Sequence, residues 1–192
     1  MFLAHLQAFL IPIFLGIKSI DSFKQIRFPS IPPYAFISLG LASMFEMFDH
    51  TTTNWIYLDH SSIFNWLFYS FLSIGISLFT ISVTQNKSII AFNILLIFGT
   101  ILSYWFLGKS MTILFQVIIS ILLMSQWWSR FKDWVLILYP IMGILVTTFF
   151  GFLLSSSDQQ IWHIFIGPSG TISVLAFYLV LNRSRKKLII SA

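Results

Sequence analysis

Long apolar runs alternate with short polar breaks along most of the chain. A helix that crosses a bilayer needs about 20 largely apolar residues, with a range of roughly 17 to 25. Seven segments reach or approach this length: 1–17, 33–49, 62–83, 89–107, 111–128, 134–154 and 161–181. The last five segments are separated by only a few residues each, so consecutive helices are expected to lie side by side and antiparallel. The pattern predicts an all-α polytopic membrane protein with a single seven-helix transmembrane domain over residues 1–192.

Composition agrees with this prediction and excludes several classes of protein. Of the 192 residues, 57% are hydrophobic and 9% are charged, whereas a soluble domain carries roughly 25% charged residues. The surplus apolar surface must face lipid. The net charge of +5 does not indicate a nucleic-acid partner, because the basic residues are scattered singly or lie in one tail. The chain has no cysteine, which excludes disulfides and thiolate chemistry.

The basic residues also predict how the chain is oriented. Lys109 is the single basic residue on one side of the predicted bundle, and the other ten of the 11 lysines and arginines fall on the opposite side. The positive-inside rule then places the N-terminus outside and the C-terminus in the cytoplasm, which requires an odd number of helices. We expect a multi-pass protein of a bacterial inner (plasma) membrane, with the lipid bilayer as its main partner. The ten residues are Lys18, Lys24, Arg27, Lys87, Arg130, Lys132, Arg183, Arg185, Lys186 and Lys187.

Most of the other ionisable residues fall on the predicted outer side. Glu46, Asp49 and His50 are spaced i, i+3 and i+4, so they share one face of helix 2. Asp59 precedes helix 3, and His163 lies in the first turn of helix 7. A charged group at membrane depth costs roughly 2.5 to 3.5 kcal/mol on insertion scales, so Glu46, the deepest of these acids, needs a partner. Histidine and carboxylates converging from three helices could hold a divalent metal such as zinc, or they could form a structural polar network between helices.

The same positions resemble the motif of the CREST superfamily, a group of seven-helix membrane hydrolases that includes alkaline ceramidases and progestin/adiponectin-type receptors. That family carries Ser-x-x-x-His late in helix 2, an aspartate at the start of helix 3, and His-x-x-x-His at the start of helix 7. This chain has His50, Asp59 and His163 at the corresponding places. It departs from the motif at three points. Glu46 stands four residues before His50, where the family has serine, and Gln159 stands four residues before His163, where the family has histidine. Asp59 also lies nearer to His50 than the family spacing suggests.

The resemblance implies a zinc site on the outer side of the membrane. His50, Asp59 and His163 would be metal ligands, and Glu46 or Asp49 would be the general base. Zinc at such a site activates a water molecule and polarises a carbonyl group. Gln159 is a poor zinc ligand, so either another residue completes the site or metal binding is lost. The residues that could complete it are Asp49, Glu46, His60 and His5.

Three functions follow from these observations. The first is a metal-dependent hydrolase that acts on a lipid amide or ester at the outer side of the bilayer. The second is a non-enzymatic membrane protein, such as a small transporter, a receptor or an assembly factor, whose acid–histidine cluster relays protons, binds a polar solute or serves structure. The third is a haem or pigment carrier with His50 and His163 as axial ligands. Metal analysis separates the first from the second, and an absorption spectrum tests the third.

Overall fold

The computed structural model contains helices and no strand in the residues that it describes. These are residues 2–20, 22, 23, 26, 28–52, 63–152 and 159–190 for the backbone, and residues 3–20, 22, 23, 26, 28–49, 63–146 and 167–184 for the side chains. The expected all-α fold with seven helices is confirmed. In chain order the elements are α1 (Phe2–Lys18), α2 (Ile31–Thr52), α3 (Ile63–Val83), α4 (Lys87–Phe106), α5 (Lys109–Phe131), a short 3-10 helix (Trp134–Ile137), α6 (Leu138–Phe152) and α7 (Gln159–Ile190).

The short polar breaks hold the residues that end one helix and begin the next. Asn86 caps α4, because its side-chain oxygen accepts a hydrogen bond from the backbone N–H of Ser88 at 2.9 Å. Gly108 has a φ of +86° between α4 and α5, a conformation that glycine adopts without steric cost. Asp133 accepts a hydrogen bond from the backbone N–H of Val135, and the chain then forms the 3-10 helix. α6 therefore begins at Leu138, four residues later than the sequence predicts, while α7 continues to Ile190.

Within the described residues, four helices are long and apolar enough to cross a membrane. The stretches are Ile31–Asp49, Ile63–Val83, Lys87–Phe106 and Lys109–Phe131, and shorter apolar helices cover Leu3–Lys18 and Trp134–Val146. The outer faces of the bundle carry large apolar side chains, for example Leu95 at 66% exposure and Phe98 at 58%. Apolar surface of this kind suits lipid and not water. The chain is therefore a multi-pass integral membrane protein.

From α1 to α5, each helix packs against the helix before it, and α7 packs against α1. Glycine permits two of these contacts. A Cβ atom on Gly40 of α2 would lie 3.0 Å from the carbonyl oxygen of Phe9 in α1, and a Cβ atom on Gly167 of α7 would lie 2.6 Å from the carbonyl oxygen of Ala4. Small residues of this kind let membrane helices approach closely. They hold the first half of α1 between α2 and α7.

The described parts of α5 and α6 follow one another in sequence but do not pack side by side. α6 packs against α7 and the 3-10 helix, and its link to α5 is a hydrogen bond between the hydroxyl groups of Ser120 and Tyr139 at 2.8 Å. This differs from the side-by-side arrangement that the short loop predicts. The left-handed residue Lys132, with a φ of 50°, and the 3-10 helix redirect the chain before α6 begins.

Two ends of the bundle can be distinguished. The basic end is the one at which α1, α3 and α5 finish, and it carries Lys18, Lys87, Arg130, Lys132 and Arg183. The site end is the opposite one, where α2 finishes and α5 begins. An aromatic core lies toward the basic end, where the indole N–H of Trp127 donates to the carbonyl oxygen of Phe79 at 2.8 Å and Trp127 and Phe177 pack edge to face. Which end faces the cytoplasm stays a prediction.

Candidate functional site

A large cavity lies inside the bundle between α1, α2, α3, α5, α6 and α7. Its volume is about 960 Å³, and most of its wall is apolar. This volume is at the upper end of the range of roughly 300 to 1,000 Å³ that small-molecule sites occupy. Phe79 and Phe177 close the cavity toward the basic end, where both rings pack against Trp127. His5, Ser43 and Glu46 line it toward the site end. The cavity therefore has a mostly apolar wall, with an ionisable polar region toward the site end.

An acid–histidine pair forms that polar region. The Nδ1 atom of His5 on α1 lies 3.6 Å from a carboxyl oxygen of Glu46 on α2, and the two side chains are 1% and 14% exposed. Close packing of α1 on α2 brings them together. Ionisable side chains are costly inside a membrane and usually pair with one another. Glu46 therefore has the partner that the sequence requires, supplied by the first helix, and the pair faces an open space.

Asp49 lies on the next turn of α2 and has a different environment. The side-chain amide of Asn65 on α3 donates to a carboxyl oxygen of Asp49 at 3.4 Å, and the hydroxyl of Tyr104 on α4 donates to the amide oxygen of Asn65 at 3.1 Å. Asp49 is 0% exposed and does not line the cavity. This chain of hydrogen bonds joins three helices, which is the arrangement expected of a structural polar network.

Two polar side chains of α5 also contact α3. The ammonium group of Lys109 lies 5.6 Å from the centre of the Tyr69 ring, within the range of a cation–π contact. The side-chain amide of Gln116 donates to the carbonyl oxygen of Tyr69 at 3.1 Å and to the hydroxyl of Ser73 at 3.2 Å. Gln116 also lines the cavity. These contacts hold α5 on α3 along the wall that faces α6.

The structure places some of the predicted site residues. Glu46 lies on the cavity wall, and Asp49 lies in the hydrogen-bond network. The backbones of His50 and His163 are helical, in α2 and α7, but their side chains lie outside the described residues, as does the whole of Asp59. The predicted approach of His50 to His163 and the three predicted metal ligands therefore stay predictions.

Zinc chemistry needs more donors than the described side chains bring together. A catalytic zinc site uses three protein ligands. Within residues 3–49, 63–146 and 167–184, as far as their side chains are described, no three histidine or acidic side chains lie close enough to hold one ion. His5 and Glu46 supply one nitrogen and one carboxylate. A zinc site in this protein would therefore need at least one donor outside the described side chains, where His50, Asp59, His60, Asp158 and His163 lie.

His5 is the functional residue that spacing within helix 2 does not reveal. Its signal in the sequence is a set of positions on α1 that share one face: His5, Ala8 and Pro12, which are spaced i, i+3 and i+7. All three line the cavity. A lone histidine on such a face does not by itself indicate which helix it meets.

Taken together, the fold and the cavity are those of a seven-helix membrane protein with a large internal cavity. The family model described as "Seven transmembrane receptor" matches residues 1–187, and the chain belongs to that family. Searches of the curated proteins and of the solved structures gave no significant match.

Proposed function

We propose that this protein is a membrane receptor that binds a small ligand in the cavity between its helices. The observation that carries the proposal is the His5–Glu46 pair in the wall of a cavity of about 960 Å³. Ligand sites are mostly apolar with a few convergent polar groups that orient the ligand, and this cavity has that composition. The description of the family supports the same function.

The role proposed for Glu46 is to accept a hydrogen bond or a positive charge from the ligand. Glu46 already has His5 on one side, and its 14% exposed side chain faces the cavity. Asp49 is excluded from this role by its position in the network with Asn65 and Tyr104. The two acids therefore form a matched pair, with one exposed to the cavity and the other sealed between helices.

The test compares ligand binding by variants of these two acids. The purified protein in lipid nanodiscs is titrated with three water-soluble probes of equal chain length: butylamine, butanol and butyrate. Bound ligand at 100 times its dissociation constant stabilises the native state by about 2.7 kcal/mol, which thermal unfolding detects. We expect butylamine or butanol to stabilise the wild type and Asp49→Asn, but not Glu46→Gln. Equal stabilisation of both variants, or of none of the three proteins, would contradict the proposal.

A metal-dependent hydrolase is the second candidate, and one observation favours it. Ser43, Glu46 and His5 share one region of the cavity wall, at the end of the bundle where Asp59 and His163 fall in the sequence. Zinc, when bound, would polarise a lipid carbonyl and activate water. The resemblance to the CREST superfamily stands behind this candidate, with Glu46 or Asp49 as general base.

Metal analysis decides between the two candidates. The hydrolase predicts about one zinc per purified chain, and it predicts that His163→Ala and Glu46→Gln lose metal while they keep their thermal stability. The receptor predicts ligand-dependent stabilisation without that metal requirement. If the wild type binds no metal, or if both variants keep full metal content, the hydrolase is excluded. We also infer a bacterial inner membrane as the location, because the short name of the matching family model contains "cyano", which suggests bacteria.

A further inference from the structure

The wall of the cavity is incomplete between α5 and α6. The other neighbouring helices around it pack against each other, in the order α6, α7, α1, α2, α3 and α5. Between α5 and α6 the described residues make no comparable contact. The gap is closed toward the basic end by the Ser120–Tyr139 hydrogen bond and by the 3-10 helix, which packs on α5 and α6. On the side of Ser120 that faces the site end, the described side chains of α6, up to Val146, therefore leave the gap open.

Side chains at the gap line the cavity and keep a large part of their surface accessible. Ile113, Val117 and Ile121 of α5 are spaced by four residues, line the cavity, and are 43%, 49% and 63% exposed. On the other edge, Ile144 of α6 also lines the cavity and is 64% exposed. In a bundle that spans a membrane, apolar surface exposed at this depth contacts lipid chains. The gap thus joins the interior of the protein to the lipid phase.

The described part of the gap covers about a third of the depth of a bilayer. From Tyr139 to Val146, the last residue of α6 whose side chain is described, is a rise of about 10 Å at 1.5 Å per residue, against a hydrocarbon core of about 30 Å. Inside, the apolar wall of α3 from Phe68 to Phe79 has a length of about 16 Å. An apolar chain that enters from one leaflet can therefore lie along the cavity with its head at the site end.

The ionisable groups of the wall select the head group. Among the described residues that line the cavity, Glu46 is the single acid, His5 is the single histidine, and there is no lysine or arginine. While Glu46 is ionised, the pair is net neutral with a charged His5 and negative with a neutral His5. In neither state does an anionic head group gain, because like charges brought together cost free energy. A head group that donates hydrogen bonds, such as an amine or an alcohol, is complementary to the carboxylate.

We propose that the receptor cavity is filled sideways from the membrane through the gap between α5 and α6, by a single-chain amphiphile whose head group donates a hydrogen bond to Glu46. This inference rests on the proposed receptor function and adds the route and the class of ligand. Gly143 on α6 offers a direct test. It lines the cavity, and a Cβ atom at this position would meet no atom within 4 Å. A tryptophan there can occupy the gap without a clash close to the backbone.

The experiment uses three hexadecyl probes that carry a diazirine in the chain and differ only in the head group: amine, alcohol or carboxylate. The full-length protein in nanodiscs is irradiated with each probe, and mass spectrometry of its peptides locates the labelled residues. We expect the amine and the alcohol to label cavity-lining residues of α5, α6 and α7, in competition with unlabelled hexadecylamine. The carboxylate should label these residues about tenfold less.

Variants on α6 and α7 separate entry through the gap from contact at the outer surface. Gly143→Trp should reduce cavity labelling about tenfold or more. Leu145→Trp is the matched control, because Leu145 is 54% exposed and does not line the cavity, and it should label like the wild type. Gly170→Trp fills the cavity from α7, where a Cβ atom also meets nothing within 4 Å, and it replaces Gly143→Trp if that variant unfolds at a lower temperature.

Two results would overturn the inference. One is labelling confined to residues that face lipid elsewhere, such as Leu95 and Phe98 of α4. The other is equal cavity labelling in Gly143→Trp, Gly170→Trp and the wild type. The butylamine titration distinguishes failure of this inference from failure of the receptor function. If butylamine binds in a manner that depends on Glu46 while the hexadecyl probes stay outside, the receptor function stands and entry from the membrane is wrong. If neither enters, both are wrong.

Discussion

Replacing each member of the His5–Glu46 pair, singly and together, tests whether the two side chains interact as ions. At 3.6 Å and an effective dielectric constant of about 20, two unit charges attract with about 5 kcal/mol. Desolvation offsets much of this gain. We therefore expect a coupling free energy of about 2 to 3 kcal/mol between His5→Ala and Glu46→Ala, at the upper end of measured couplings. A neutral hydrogen bond would give about 1 kcal/mol.

The assay measures the free energy of unfolding in bicelles by steric trapping. It compares the wild type, His5→Ala, Glu46→Ala and the double variant. A third substitution, Glu46→Gln, separates charge from shape. With an ionised pair, glutamine keeps about 1 kcal/mol of the coupling, since it can still form a neutral hydrogen bond. With a protonated carboxyl, glutamine replaces glutamate at almost no cost.

A control double-mutant cycle combines His5→Ala with Asp133→Asn, two substitutions at opposite ends of the bundle. Its free energies should add within about 0.5 kcal/mol. A coupling below about 0.5 kcal/mol for His5 and Glu46 would refute the reasoning, because the pair would then have no direct interaction. It would also remove the argument that the polar region of the cavity is formed by α1 and α2 together.

Three other predictions concern the bundle as a whole. Trp127→Phe removes the indole hydrogen bond to the backbone of α3 and should cost about 1 to 3 kcal/mol of unfolding free energy, measured as above; no loss would contradict the packing of the aromatic core. Gly167→Val should cost about 1 to 3 kcal/mol by overpacking α7 on Ala4, whereas Gly170→Val meets open space and should be tolerated. A reporter fused after Ala192 should be active only in the cytoplasm, and activity confined to the outside would reverse the topology.

The sequence predicts the helices well because the signal is local. Each apolar run reaches or approaches the length that crosses a bilayer, and the breaks on either side of α4 contain a residue that caps or turns the chain, Asn86 or Gly108. Its prediction for the start of α6 is less accurate. The apolar run begins at Trp134, but Asp133 caps a 3-10 helix there. Apolar composition favours burial in the membrane without specifying which kind of helix forms.

The candidate site is harder to predict, because its parts come from different helices. The cost of a buried charge indicates that Glu46 has a partner, and this expectation agrees with the structure. The spacing on α2 suggests a common role for Glu46 and Asp49, but the structure separates them, since Asp49 faces Asn65 while Glu46 faces His5. A helix face spans a wide arc, and residues three apart on it can meet different neighbours. Only the packing of α1 and α3 on either side of α2 decides which neighbour each acid meets.

The same packing suggests how a ligand could be sensed. A ligand shifts a conformational equilibrium only by the difference between its affinities for two states. An occupant of the proposed gap would contact Val117 on α5 and Ile144 on α6, and it would bind more tightly if these helices approached each other. α5 is fixed to α3 by Gln116, whereas α6 is linked to α5 through Tyr139 and the 3-10 helix. Movement of α6 toward α5 would therefore be transmitted through the 3-10 helix to the basic end, where Asp133 pairs with Arg183 at 3.3 Å.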